Sequence, residues 1–123
     1  MNLLKIYWKP IAWTIIIVIL CLTPKSIEPQ PSWLTKIPHF DKIVHFGIYT
    51  ILGFLFYFSN KKDKTISFMV FVILYTLFLG GGIEIIQPLV GRSNELMDLI
   101  SDLLGSSFGC AIFFTTKNKI TSF

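Results

Sequence analysis

The sequence predicts an all-α membrane protein, a small bundle of four transmembrane helices with both termini in the cytoplasm. The chain has 123 residues, of which 53% are hydrophobic and 15% charged, and its mean hydropathy is +0.67. A soluble domain of this size buries too small a fraction of its surface to hide so many apolar side chains. The apolar residues also fall into four separate segments, each close to the ~20 residues needed to cross a bilayer. We therefore interpret residues 1–123 as one transmembrane domain.

The four predicted helices cover about residues 3–22, 41–60, 66–87 and 95–116. The first starts with basic residues and lacks an A-x-A-like cleavage site after its apolar stretch, so we expect a retained helix and not a cleaved signal peptide. The second reaches spanning length when its polar flanks are counted. The third and fourth are long apolar runs that carry acidic residues near one end.

The connections are predicted from their turn-forming residues. Residues 23–40 contain four prolines and are expected to form extended surface chain. Residues 59–65 are short and basic, and residues 88–94 form a tight turn in which Pro88 ends the third helix. The glycine run at 80–82 predicts either close helix approach or a local break, because each glycine costs a helix ~1 kcal/mol.

The distribution of lysine and arginine predicts the orientation. Seven of the eleven basic residues lie in the first segment, the second connection and the C-terminal segment: Lys5, Lys9, Lys61, Lys62, Lys64, Lys117 and Lys119. The other four lie on the opposite side: Lys25, Lys36, Lys42 and Arg92. The positive-inside rule therefore places both termini in the cytoplasm. The net charge of +4 follows from this asymmetry, and we expect no nucleic-acid partner.

The fourth predicted helix carries a stripe of acidic and small residues. At about 100° per residue, Asp98, Asp102, Gly105 and Gly109 fall within a narrow arc, with large apolar residues on the other side. Small residues allow helix backbones to approach closely in a membrane. We therefore predict that Gly105 and Gly109 are helix-packing residues and that both carboxylates point into the bundle.

The second and third predicted helices carry similar stripes. Asp41, His45 and Tyr49 are spaced i, i+4, i+8 on the second helix. Glu84 and Gln87 share one face of the third. With the orientation above, these residues lie near the outer leaflet, which predicts a polar cavity that opens outward. The candidate ligand-binding residues are Asp41, His45, Tyr49, Glu84, Gln87, Arg92, Asp98 and Asp102.

Some of these residues have simpler explanations. Asp41 can cap a helix, Gln87 can satisfy a helix end, and Arg92 can be a surface charge. Glu84 and Asp102 are harder to explain in this way, because ionisable groups inside a bilayer cost at least ~2.5–3.5 kcal/mol and mark function or pairing. The structural alternative is a polar latch that holds three helices together.

Two blocks of residues resemble the VanZ-like family of small bacterial membrane proteins. The first block is DKIVHF at residues 41–46, followed by Tyr49 and Gly53. The second block is EIIQ at residues 84–87, followed by Gly91, Arg92, Asp98, Asp102, Gly105 and Gly109. One position departs from the pattern, because the family usually has Asn where this chain has Asp102. The resemblance implies a multi-pass protein of the bacterial plasma membrane with a cell-envelope role, since the founding member is an accessory determinant of low-level teicoplanin resistance.

Three functions are compatible with the sequence. The first is an envelope protein whose cavity binds a membrane lipid headgroup or a lipid-linked cell-wall intermediate and influences glycopeptide susceptibility. The second is a membrane enzyme acting on a phosphate-bearing lipid, in which His45 is the acid or base, Arg92 holds phosphate, and a divalent cation such as Mg²⁺ is bound by Asp41, Glu84, Asp98 and Asp102. The third is a structural subunit with a polar latch. No established catalytic motif decides whether the chain is an enzyme, and its oligomeric state is open.

Overall fold

The computed structural model describes residues 3–23, 40–60, 66–91 and 96–121; the side chains of Asp41 and of residues 114–121 lie outside this description. The elements are α1 Leu3–Ile6, α2 Trp8–Leu22, α3 Phe40–Ser59, α4 Ile66–Ile86, a 3₁₀ turn Gln87–Val90, and α5 Leu96–Thr121. The predicted all-α class is thus confirmed, and no strand occurs in the described ranges. Three stretches are long and apolar enough to cross a membrane, and they are Lys42–Ser59, Ile66–Val90 and Leu96–Phe113.

The first predicted helix is divided at Tyr7 into α1 and α2. Pro10 explains the division, because it has no N–H with which to bond the carbonyl of Ile6, where α1 ends. Helical hydrogen bonds continue on either side, from Tyr7 N to Leu3 O at 2.9 Å and from Ile11 N to Tyr7 O at 3.1 Å. α2 alone has 15 residues and is about 22 Å long, so a complete span of the ~30 Å hydrocarbon core requires both pieces.

Contacts between the helices define an up-down-up-down arrangement. α2 and α3 are antiparallel, α3 and α5 are parallel, and α2 and α4 are parallel. The first direction follows from the contacts Trp13–Ile48 and Tyr7–Phe56. The second follows from Phe46–Phe108 and Phe54–Phe113. The third follows from Thr14–Tyr75 and Cys21–Gln87. The starts of α3 and α5 and the ends of α2 and α4 therefore lie at the same end of the bundle. Which membrane face that end occupies stays a prediction from the lysine and arginine count.

Glycines on both helices form a tight seam between α3 and α5. A Cβ added at Gly105 would overlap the backbone carbonyl of Phe46, and one at Gly109 would overlap that of Thr50. Gly53 on α3 lies equally close to the backbone of α5. Larger side chains at these positions would force the two backbones apart. The seam fixes the relative height of α3 and α5, and therefore which of their polar side chains face each other.

Aromatic contacts centred on Phe56 pack the helices together at the end of the bundle opposite the acidic residues. The ring centroid of Phe56 lies 4.8 Å from that of Tyr75 and 5.9 Å from that of Phe71, and both contacts are edge-to-face. Tyr57 and Phe68 make a similar contact at 5.0 Å. Edge-to-face geometry is favourable for aromatic quadrupoles. These contacts join α3 to α4 at the end of the bundle away from the acidic residues.

α4 continues without a break through the glycines at 80–82 and ends at Ile86. Gly80 packs against α5, whereas a Cβ added at either of the next two glycines would meet no described atom of another helix within 4 Å. Of the two predicted explanations, close approach therefore applies, and it applies to Gly80. Pro88 lies in the 3₁₀ turn that follows, and the turn ends at Gly91, whose φ of +79° is in the left-handed region that glycine adopts readily.

Candidate functional site

A direct contact between His45 on α3 and Asp102 on α5 forms the centre of the site. Nδ1 of the imidazole lies 2.7 Å from Oδ1 of the carboxylate, and the two residues are 6% and 1% exposed. Each lies between one and two turns inside its helix, and the parallel, glycine-packed helices bring them to the same height. The distance is that of a charge-assisted hydrogen bond.

Gly80 brings α4 against the second oxygen of the same carboxylate. A Cβ added at Gly80 would lie 2.7 Å from Oδ2 of Asp102 and 3.0 Å from Cδ1 of Leu99. Ordinary van der Waals contact begins at about 3.4 Å, so the absence of a side chain here is what allows Asp102 to occupy its position. Three helices thus meet at one carboxylate.

A second contact between α3 and α5 lies one turn nearer the helix starts, where Nζ of Lys42 is 3.5 Å from Oδ1 of Asp98. The sequence analysis counted Lys42 among the basic residues of the outer side and did not include it in the site. Its i, i+3, i+7 spacing with His45 and Tyr49 places it on the same helix face, and this signal was available. Lys42 therefore joins the residues that line this end of the bundle.

Tyr49 lies one turn deeper than His45 on the same face of α3. The two rings are nearly parallel, at 11°, with centroids 6.5 Å apart, and Tyr49 is fully buried at 0% exposure. The charges of Asp102 and Glu84 act on its hydroxyl. That hydroxyl has no hydrogen-bond partner within the described part of the chain.

Gln87 connects the end of α4 to the end of α2. It is 2% exposed, and its Nε2 donates a hydrogen bond of 3.1 Å to the backbone carbonyl of Cys21. Its Oε1 is buried and accepts no hydrogen bond from any described residue. Sequence reasoning missed the role of Cys21, because a backbone carbonyl leaves no signal in the residue type.

Glu84 is half-buried on α4, and its charge acts on both His45 and Tyr49. We define the polar cluster as the seven side chains that the structure assembles at this end: Lys42, His45, Tyr49, Glu84, Gln87, Asp98 and Asp102. Six of them are among the predicted site residues. Two further predicted residues, Arg92 and the side chain of Asp41, lie outside the described residues.

Metal binding was predicted from four carboxylates. Among the described side chains, no three His, Cys, Asp or Glu residues are grouped so that they could hold a metal ion. Asp41, one of the four, is outside that comparison. The metal-dependent alternative therefore draws no support from the described side chains.

The chemistry available to the polar cluster is hydrogen bonding, charge pairing and proton exchange. His45 and Asp102 can hold one proton between Nδ1 and Oδ1, and this contact directs the imidazole by engaging one of its two nitrogens. Lys42 supplies a cation, and Gln87 supplies a buried oxygen acceptor. These groups suit the recognition of a polar ligand at a membrane-embedded site.

The apolar helices and the buried polar cluster at one end of the bundle define a multi-helix membrane protein. Comparison with protein families identifies the family of this membrane protein: the model of the VanZ/LLP1 family matches residues 2–117, which is nearly the whole chain. The chain therefore belongs to the VanZ/LLP1 family, and the resemblance noted in the sequence is confirmed. No curated protein matches the chain. No solved structure matches it either.

Proposed function

We propose that this chain is a multi-pass protein of the bacterial plasma membrane that acts in the cell envelope. In this proposal, the polar cluster binds a lipid-linked or headgroup ligand, and binding influences susceptibility to teicoplanin-type glycopeptides. Membership of the VanZ/LLP1 family supports the envelope context. The end of the bundle that carries the cluster faces outward, in accordance with the lysine and arginine count.

Two buried polar atoms carry the binding proposal, namely the hydroxyl of Tyr49 and Oε1 of Gln87. Neither has a hydrogen-bond partner among the described residues. A buried polar atom without a partner costs ~1–3 kcal/mol. A cluster that served only to join helices would be expected to satisfy its own polar atoms. The two atoms therefore favour a bound ligand.

A polar latch is the second candidate function. The His45–Asp102 and Lys42–Asp98 contacts both join α3 to α5, and this observation favours the latch. A latch predicts that neutral replacements lower the stability of the helix bundle without changing what the protein binds. A ligand site predicts that replacing Glu84, which lies on α4 and is not a member of either of these two contacts, changes binding while the bundle stays folded.

Native mass spectrometry of the full chain, extracted in mild detergent, tests the proposal. We expect the wild-type protein to retain a stoichiometric lipid, and Glu84→Gln to retain at least tenfold less. Ser107→Ala is the matched control, because the Ser107 hydroxyl donates a 2.8 Å hydrogen bond to the Leu103 carbonyl within its own helix, and Ser107 is not a member of the polar cluster. Circular dichroism and size-exclusion profiles of the three proteins verify that each is folded.

Growth inhibition by teicoplanin tests the biological part of the proposal. Cells that produce the wild-type protein should tolerate more teicoplanin than cells without it, and Glu84→Gln should abolish the difference at equal membrane abundance. Asp102→Asn should retain most of the effect, because asparagine keeps an oxygen that can accept the hydrogen bond from His45. Unchanged growth inhibition, together with a protein that retains no lipid, would refute the proposal in favour of the latch.

A further inference from the structure

We infer that the polar cluster takes the primary ammonium group of its ligand, the amine of a lipid headgroup or of a lipid-linked peptide. This inference rests on the proposed function, because it assumes that the cluster binds a ligand. It goes further by assigning the chemical class of the group that enters the site.

The charge balance of the polar cluster favours a cation. Its described side chains include three carboxylates, one lysine ammonium and one imidazole. With the three carboxylates ionised, the sum is negative even when the imidazole is protonated, and a phosphate group would meet like charge. The neighbouring charges in sequence, whose side chains are not described, do not reverse this sign, because Asp41 and Glu95 outnumber Arg92.

Gln87 shows that the missing partner is a hydrogen-bond donor. Its Nε2 is engaged by the carbonyl of Cys21 at 3.1 Å. The opposite amide orientation would place two oxygen acceptors against each other, so the contact with Cys21 determines which of the two amide atoms is left without a partner. The atom left over is Oε1, which is buried and has no donor among the described residues. A ligand that satisfies it must donate a hydrogen bond.

Tyr49 and Gln87 belong to the same part of the cluster. Both are buried, at 0% and 2% exposure; Gln87 bonds the Cys21 carbonyl at 3.1 Å, and Cys21 lies within electrostatic range of the Tyr49 hydroxyl. Glu84 also lies within electrostatic range of that hydroxyl, one turn before Gln87, which follows the end of α4. This part of the cluster therefore offers an amide oxygen, a phenol oxygen and a carboxylate.

A primary ammonium matches these three groups. It carries a positive charge and three N–H donors, so it can bond the amide oxygen of Gln87, the phenol oxygen of Tyr49 and the carboxylate of Glu84 together. A quaternary ammonium has the charge without the donors, and a water molecule has donors without the charge. The distinction between these groups can be measured with lipids that differ in the headgroup alone.

The test uses the full chain and native mass spectrometry in mild detergent with added lipids at matched concentration. The lipids are phosphatidylethanolamine, its N-acetylated derivative, phosphatidylcholine and phosphatidylglycerol, all with the same acyl chains. We expect phosphatidylethanolamine to bind at least tenfold better than the other three. A lipid-linked peptide with a free lysine amine, compared with its acetylated form, distinguishes a peptide source from a headgroup source.

Glu84→Gln should reduce the preference for the free amine at least tenfold, and Ser107→Ala should leave it unchanged. The comparison of free and acetylated amines uses the wild-type protein, so it remains decisive if Glu84→Gln does not fold. Preferential binding of phosphatidylglycerol or of the acetylated lipids would overturn the ammonium inference and leave the proposed binding function intact. Absence of selective binding to every lipid tested would overturn both.

Discussion

Gly80 offers a sharp test of how α4 is packed against the polar cluster. In Gly80→Ala the new Cβ would lie 2.7 Å from Oδ2 of Asp102, whereas in Gly81→Ala it would meet no described atom within 4 Å. The two variants make the same chemical change at adjacent positions of one helix. Any gain in helix propensity, about 1 kcal/mol for each, therefore cancels when the variants are compared.

The magnitude follows from the geometry around Asp102. Its Oδ2 must move by about 0.7 Å to restore a van der Waals contact of 3.4 Å. Because Oδ1 belongs to the same rigid carboxylate, a displacement of this size disturbs its 2.7 Å hydrogen bond to Nδ1 of His45, whose good range spans only about 2.7–3.2 Å. Loss of a buried hydrogen bond costs about 1–3 kcal/mol. We therefore expect Gly80→Ala to be less stable than Gly81→Ala by that amount.

Unfolding of both variants by sodium dodecyl sulfate in mixed micelles measures the difference in free energy. Nitrogen-15 NMR of labelled histidine reports on the His45 imidazole, whose signals should shift in Gly80→Ala and stay at their wild-type positions in Gly81→Ala. Equal stability of the two variants, with the same imidazole signals in both, would show that α4 does not press on Asp102 as described.

The remaining predictions concern orientation and helix packing. A cysteine at Lys62 should react with an impermeant maleimide from the cytoplasm and one at Ser93 from outside; the reverse pattern would contradict the orientation. Tyr75→Phe removes a 2.8 Å bond to Thr14 and should cost about 0.6–1 kcal/mol in detergent unfolding, with lipid binding unchanged. A loss of unfolding free energy above about 2 kcal/mol would contradict this expectation, because the hydrogen bond is only partly buried. Gly109→Ala should cost about 1–3 kcal/mol by separating α3 from α5, and wild-type stability would contradict the tight seam.

The helical class, the membrane environment and the position of the polar residues could be predicted from the sequence, because each depends on local properties. Long runs of apolar residues indicate that a helix is surrounded by lipid, and residue spacing indicates which side chains share a face of the helix. These rules placed His45 and Tyr49 on one stripe and Asp98 and Asp102 on another. They also predicted the end of α4 near Pro88, since proline disfavours the helical conformation in the residue before it.

Local rules were less successful where two effects compete within one segment. The first helix reads as a continuous apolar span, yet Pro10 removes one backbone donor and divides the helix at Tyr7. The glycines at 80–82 allowed two interpretations, and the choice depended on α5, which is distant in sequence. Lys42 was used only in the count of basic residues, although its spacing on α3 places it on the face that carries His45 and Tyr49.

Residue pattern alone therefore specifies the class of protein, a bundle of apolar helices whose polar stripes lie toward one end. Which polar groups are in contact depends on the tertiary structure. His45 faces Asp102, Lys42 faces Asp98, and Gln87 bonds the Cys21 carbonyl. The physical reason is that spacing specifies the direction of a side chain around its own helix axis but contains no information about the height of a neighbouring helix. In this protein that height is set by the contact of glycine backbones between α3 and α5, an interaction between residues more than fifty positions apart.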